Sequence, residues 1–170
     1  MATVSSGIDF EAELARLRDD YMAAAPGQRL NVIHQRLDDH HFGPNRLVTE
    51  VCAVEGFARC LMVSHGARGR EARLRAYYSK YRNWGASSLV REYLAVKKAG
   101  TPQEVFGTDS WRLYGHAIGF RNLLAHECTY LGLQKFEPLI GACRAVLTGL
   151  VRLSGVRQRA FRGTMRAGGR

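Results

Sequence analysis

The chain has 170 residues, long enough for one domain with a buried core. Hydrophobic residues make up 46% of it, which excludes wholesale disorder, and no apolar run approaches the roughly 20 residues that a membrane span needs. With 25 Lys and Arg against 15 acids, the formal charge is +10, and an anionic partner is expected.

The opening residues, Met-Ala-Thr-Val-Ser-Ser-Gly, are small and polar. They lack the basic-then-apolar order of a secretion signal, so the cytoplasm is the expected place of work. Cys52, Cys60, Cys128 and Cys143 are scattered, with no Cys-x-x-Cys pair, so reduced and mostly buried thiols are expected rather than a disulfide scaffold or a zinc site.

From Ile8, the positions of Leu14, Leu17, Tyr21 and Met22 fit an amphipathic helix that Pro26-Gly27 stops. A second helix, Leu30 to about Asp39, leads into a turn at His40-His41-Phe42-Gly43-Pro44. Asp38-Asp39-His40-His41 holds metal-ligating side chains. Adjacent residues on a helix point apart, however, and no second group is spaced to complete a site, so a solvated helix end is expected.

Asn45 can cap a helix running to about His65, the most apolar of the chain and therefore central to a bundle. Glu50 and Glu55 are the only charges between Leu47 and Ala58. A carboxylate on such a helix needs a cationic partner, because an unpaired buried charge is expensive.

Residues 66–82 then carry six basic residues and one acid, interleaved with Tyr77, Tyr78 and Tyr81. Arg70, Arg73, Lys80 and Arg82 could follow the phosphates of an RNA strand, and the rings could stack on bases or pack into the core. For the rings the core is preferred, and for the basic stripe nucleic acid.

Asn83-Trp84-Gly85-Ala86-Ser87 reads as a turn, with Ser87 or Ser88 capping a helix from Leu89 to Lys98 that Gly100 ends. Thr101-Pro102-Gln103-Glu104 starts a short helix broken at Gly107, and Asp109 or Ser110 caps the next.

This next helix ends in Gly119-Phe120-Arg121-Asn122-Leu123-Leu124-Ala125-His126-Glu127. At about 100° per residue, Asn122 and His126 share a face, and Arg121 points about 140° away from His126, with a side chain long enough to swing its guanidinium back towards that face. A guanidinium fork, an amide and an imidazole thus collect at one helix end, the parts needed to cleave RNA through its 2′-hydroxyl without a metal. One imidazole cannot easily serve as base and acid in the same step, whereas a two-fold dimer would supply two. The plainer alternative is a core helix whose Asn and His cap its end. Arg112 and His116 form a second basic pair on this helix, either an RNA-binding aid or a surface pair. Cys128, beside the motif, lacks an activating arrangement beyond His126.

After a bend at Thr129–Gly132, a last helix from about Gln134 to Leu153 has apolar residues at i, i+3, i+4 and i+7, with Pro138 tolerated in its first turns. Beyond residue 155, Arg157, Arg159, Arg162, Arg166 and Arg170 stand with no acid. The chain thus divides into a helical domain, 1–155, and a basic tail, 156–170, that holds RNA or orders on an acidic partner.

Arg121-Asn122-x3-His126, at the end of the penultimate long helix of a small helical chain, resembles the Arg-x4–6-His signature of the HEPN superfamily. The likeness is close over the motif helix and rests elsewhere on helix order and length. It implies an all-α bundle of about five to seven helices, a homodimer with the motif at its interface, and metal-independent endoribonuclease activity without a cofactor. In that role Arg121 clamps phosphate, His126 transfers a proton, and Asn122 orients the His or the scissile phosphate.

Relatives of this kind include toxins, with or without an antitoxin, and antiviral effectors. Others only bind RNA or nucleotides, and a non-catalytic module is the alternative reading. The family often sets a Glu against the motif Arg; Glu55 is the candidate here, with Glu50 the other carboxylate of that helix. One branch carries a modifiable Tyr two residues after the His. Here Tyr130 stands four on, which argues against such control.

Overall fold

A computed structural model describes residues 15–16, 19–20, 22–38, 46–126 and 137–156. They are all-helical, with no strand among them: α1 (Pro26–Asp38), α2 (Arg46–Ala67), α3 (Glu71–Tyr81), α4 (Ala86–Lys97), α5 (Pro102–Phe106), α6 (Thr108–His126) and α7 (Glu137–Ser154). Further helical residues precede Pro26. Among the described residues no helix is long and apolar enough to cross a membrane.

The helix the others surround is α2, although α7 and not α2 is the most apolar of the described helices. Val51, Val54, Phe57 and Ala58 of α2 have no exposed surface, and α1, α3, α4, α6 and α7 all pack against it. Burying a side chain such as Phe57 contributes about 1.5–3 kcal/mol, so α2 anchors the core. Its partners present apolar stripes at helical spacing. On α7 Cys143, Val146, Leu147 and Leu150 are buried while Arg144, Thr148 and Arg152 are exposed. The tyrosines of α3 go to the core: Tyr81 is buried, and Tyr77 and Tyr78 are half-buried against it.

Several helix ends differ from the sequence expectation, each because tertiary packing or a backbone contact sets the boundary. α1 starts at Pro26, four residues before Leu30: proline lacks an N–H that the first turn would leave unbonded anyway, and the Arg29 N–H bonds Ala25 O at 3.0 Å. α4 starts at Ala86, which is buried, so the helix begins behind an extended Gly85 and both candidate serine caps fall inside its first turn. At its other end Lys98, not Gly100, takes the first left-handed position (φ 52°), where its N–H and that of Ala99 close on Ala95 O and Leu94 O.

The short α5 follows the expectation closely. The Thr101 hydroxyl accepts the Glu104 N–H at 3.3 Å, and the Thr101 N–H donates to Glu104 Oε2 at 2.7 Å, a reciprocal capping box. The Thr101 backbone N–H first, and its side chain second, hold the Glu104 carboxyl below its ordinary value of 4.5. Gly107 (φ 86°) ends α5, and α6 begins at the next residue, so Asp109 and Ser110 lie in its first turn rather than capping it. The Asp109 carboxylate there meets the positive end of the helix and pairs with Arg112 at 3.3 Å. The turn at 40–44, the Asn45 cap, the bend at 129–132 and residues 157–170 lie outside the described residues.

Candidate functional site

Two helices build the site. On α6 the inward line runs Trp111, Tyr114, Ala117, all buried, and Arg121 extends it. Seven residues separate Tyr114 from Arg121, two turns less about 20°, so Arg121 points into the bundle towards α2. On α2, Cys52, Glu55, Gly56 and Arg59 share one face, at i, i+3, i+4 and i+7.

Where these lines meet, Glu55 is shared by two guanidinium groups. Arg121 Nη2 donates to Glu55 Oε2 at 3.0 Å, and Arg59 Nη2 donates to Oε1 at 2.5 Å. Arg59 also reaches the C-terminal end of α3, bonding the carbonyls of Tyr81 (3.3 Å) and Trp84 (3.4 Å). A cation there answers the negative end of the α3 dipole. Arg121 is thus fixed by a carboxylate that is itself fixed, and its side chain is only 21% exposed.

Asn122 and His126 lie on the opposite side. Both are exposed, about 40° apart on the outer face of α6, and neither is a hydrogen-bond partner of Arg121. Leu123 (49% exposed) stands with them, and Phe120 (37%) lies about 120° round from His126; these are the large hydrophobic residues most open to solvent among those described. The helix end therefore offers an anchored guanidinium on one flank and an amide, an imidazole and apolar surface on the other.

Glu50 has a different place. It lies about 140° round α2 from Glu55, is 1% exposed, and its Oε1 accepts from Arg46 at 3.2 Å and from Arg144 of α7 at 3.0 Å. It ties α2 to α7 and does not back Arg121. Beside it, burial first and the Glu50 charge second push the Cys143 thiol up to about 12.

Cys52 is exposed, yet the protein packed round its sulfur raises its thiol more than the nearby Arg121 guanidinium lowers it. It is no activated nucleophile. Two buried polar atoms next to this cluster, the Tyr114 hydroxyl and Arg121 Nε, have no hydrogen-bond partner among the described residues. Burial holds the Tyr114 hydroxyl well above its ordinary value.

The basic candidates of residues 66–82 are all surface groups. Arg70, Arg73, Lys80 and Arg82 are exposed on α3 and its flanks, with the Lys80 ammonium 4.9 Å above the Tyr81 ring. Arg112 and His116 are exposed on α6, Arg112 engaged with Asp109. Cys128, Tyr130 and residues 39–41 lie outside the described residues. Among those described, no three His, Cys, Asp or Glu side chains gather as a metal-ligand group.

No family model, curated protein or solved structure matches this chain. The geometry alone therefore speaks to function.

Residue-by-residue reading passed over two members of the site. Arg59 was legible as the i+4 partner of Glu55 on the same face of α2. Arg29, which comes from α1 to lie over Gly56, carried no signal: a methyl at Gly56 would stand 3.3 Å from Arg29 Nη2.

Proposed function

We propose that the chain is a metal-independent endoribonuclease of the HEPN type, working as a homodimer and serving as a toxin or defence effector. In the reaction the 2′-hydroxyl attacks the adjacent phosphorus as an imidazole takes its proton. The 5′-oxygen leaves with a proton from a second imidazole, and a 2′,3′-cyclic phosphate remains. Arg121 steadies the charge growing on the non-bridging oxygens.

The observation that carries this reading is the Glu55–Arg121 ion pair, at 3.0 Å, which fixes the guanidinium at the helix end where Asn122 and His126 stand exposed. A positioned cation costs no reorganisation when charge develops, whereas a mobile one does. The dimer is supported by Leu123, apolar and exposed about 60° round α6 from His126, whose burial against a second copy would bring the second imidazole.

A non-catalytic RNA-binding module is the second reading. It is favoured by the same ion pair, because a guanidinium already engaged by a carboxylate has less charge to offer a transition state. One experiment separates the two. Purified chain and its His126→Ala variant are incubated with RNA in EDTA, and products are examined for cyclic-phosphate ends. Cleavage that falls about 10²–10⁴-fold in the variant supports the nuclease. RNA bound but never cut supports the module, and equal cutting by both proteins refutes the role of His126.

A further inference from the structure

α3 turns its tyrosines towards the core, and what it leaves outside is cationic. At about 100° per residue, Arg73 and Lys80 fall within about 20° of each other on one flank of the helix. Arg75 and Arg82, the helical C-cap, do the same on the other. All four are exposed, and the outermost line between the two rows is Ala72, Ala76 and Ser79, also exposed and short. Among the described residues Arg73, Lys80 and Arg82 form no ion pair, Lys80 resting on the Tyr81 ring. Arg75 meets Asp19 at 3.0 Å in a surface pair, 77% and 57% exposed, and such a pair is worth only about 0–1 kcal/mol. Glu71, the acid of α3 itself, lies on the Arg75 flank.

The helix is firmly seated. A methyl at Gly66 of α2 would collide with the Tyr77 ring, so the glycine lets α3 close on α2. Arg59, which shares Glu55 with Arg121, also bonds the carbonyls of Tyr81 and Trp84 at the far end of α3. One side chain thereby ties the cationic helix to the candidate site.

Two cationic rows, about 160° apart across the outer face, suit two lines of phosphates. A single strand fits less well: its bases stack on exposed rings, and Tyr77 and Tyr81 are turned to the core. A DNA duplex fits less well too. Its major groove is about 8.5 Å deep, and Ala72, Ala76 and Ser79 are too short to reach base edges there. The minor groove of an RNA helix is wide and shallow and displays 2′-hydroxyls. A face of alanines can lie against it while the flanking cations reach phosphates on both sides and Ser79 bonds a 2′-hydroxyl.

We infer that α3 docks double-stranded RNA across its minor groove, by shape and backbone rather than by sequence. In the proposed nuclease this names the class of RNA taken, a stem with the scissile link in an unpaired segment beside it. That placement rests on the nuclease reading. The docking does not, and is tested without cleavage.

Fluorescence anisotropy of a labelled blunt RNA duplex, its DNA counterpart and its separate strands is followed against the full chain carrying His126→Ala, so that the RNA survives. The RNA duplex should bind about tenfold more tightly than either competitor. Arg73→Gln with Lys80→Gln should weaken it about tenfold and flatten the plot of log affinity against log salt by roughly 1.4–1.8, two phosphate contacts. Lys97→Gln with Arg152→Gln makes the same charge change at exposed positions of α4 and α7 and should leave the affinity within about twofold. Equal binding of the RNA duplex and either competitor, or equal losses in the two paired variants, overturns the proposal.

A second variant removes no cation. Ala76→Gln keeps a good helix former, lifts the outer face off the groove, and should weaken duplex RNA about fivefold while the single strand stays within about twofold. Unchanged duplex affinity overturns the docking even if the Arg73 and Lys80 variant does not fold. Equal cleavage of unpaired RNA by the parent and the His126→Ala chain would sink the nuclease reading and leave the duplex result standing.

Discussion

The Glu55–Arg121 pair can be measured directly. Its charge centres lie roughly 4 Å apart, and at an effective dielectric of about 20 the gross attraction is about 4 kcal/mol. Desolvation takes back a large part. Exposed ion pairs yield about 0–1 kcal/mol, and breaking a fully buried one costs about 3–5. Here the side chains are 18% and 21% exposed, between those limits but nearer the second. Arg59 holds the other oxygen, so removing Arg121 does not leave Glu55 uncompensated. A coupling energy of about 1.5 kcal/mol is therefore expected.

The assay is a double-mutant cycle of Glu55→Ala, Arg121→Ala and both together, by urea unfolding monitored by circular dichroism. Glu55→Ala alone should cost more than Arg121→Ala, about 2–3 kcal/mol, because it takes the carboxylate from two guanidinium groups at once, whereas Arg121→Ala leaves Glu55 a partner. In a chain of this length, 2 kcal/mol corresponds to a melting temperature lower by about 4–8 °C. A coupling below about 0.3 kcal/mol would mean that the pair does not anchor Arg121. The case for a preorganised phosphate clamp would then collapse.

Three other outcomes follow from packing and titration. Gly149→Ala on α7 should destabilise the fold by about 1–3 kcal/mol despite alanine's better helix propensity, since the methyl would stand 2.6 Å from Phe106 Cε1; unchanged urea unfolding would contradict the packing of α5 on α7. Thr101→Ala should raise the Glu104 titration, followed by NMR, only part of the way back towards 4.5, because it removes the Thr101 side-chain bond and leaves the larger contribution, from the Thr101 backbone N–H, in place. The folded value is depressed, so the stability this carboxylate contributes is present above pH 4.5 and is lost as pH falls through the lower folded value. In a Cys128→Ser chain a thiol reagent should modify Cys52 first, while Cys60 and Cys143, buried and raised to about 11 and 12, react only on unfolding; labelling of all three at one rate would contradict the core.

The all-helical class, the central α2 and the position of α6 before the last described helix were legible, because helical periodicity and near-uniform apolarity are properties of a single segment. Helix ends were less so. Ser87 and Asp109 are good caps by composition, yet the burial of Ala86 and the left-handed Gly107 start α4 and α6 earlier. In the site, spacing alone put Asn122 and His126 on one face; the expected swing of the Arg121 guanidinium back to that face does not occur, because Glu55 draws it inward. That Glu55 rather than Glu50 would meet Arg121 came from the family resemblance. Burial supplies the physical reason: Glu50 turns to α7, where Arg144 waits, and nothing near Glu50 in sequence announces Arg144. An open recess beside Glu55, between α1, α2 and α3, was the least legible feature, since Arg29, Arg59 and Tyr78 come from three helices and meet only when these pack.

The division of labour on α6 bears on what the proposed reaction requires. Arg121 is drawn inward by Glu55, while His126 faces outward about 140° round the helix, and Leu123 leaves apolar surface beside it. Within one copy the clamp and the proton carrier thus stand on different flanks of the same helix end, an arrangement poorly suited to acting on one phosphate alone. Apposing two such ends about a two-fold axis would bring each imidazole across to the other's guanidinium while covering Phe120 and Leu123. Substituting both with lysine should therefore abolish dimerisation and cleavage together in equilibrium sedimentation and RNA assays, with helical content unchanged. A monomeric double variant that still cuts RNA at the parent rate would show that one copy suffices, and the proposed sharing of the site would be wrong.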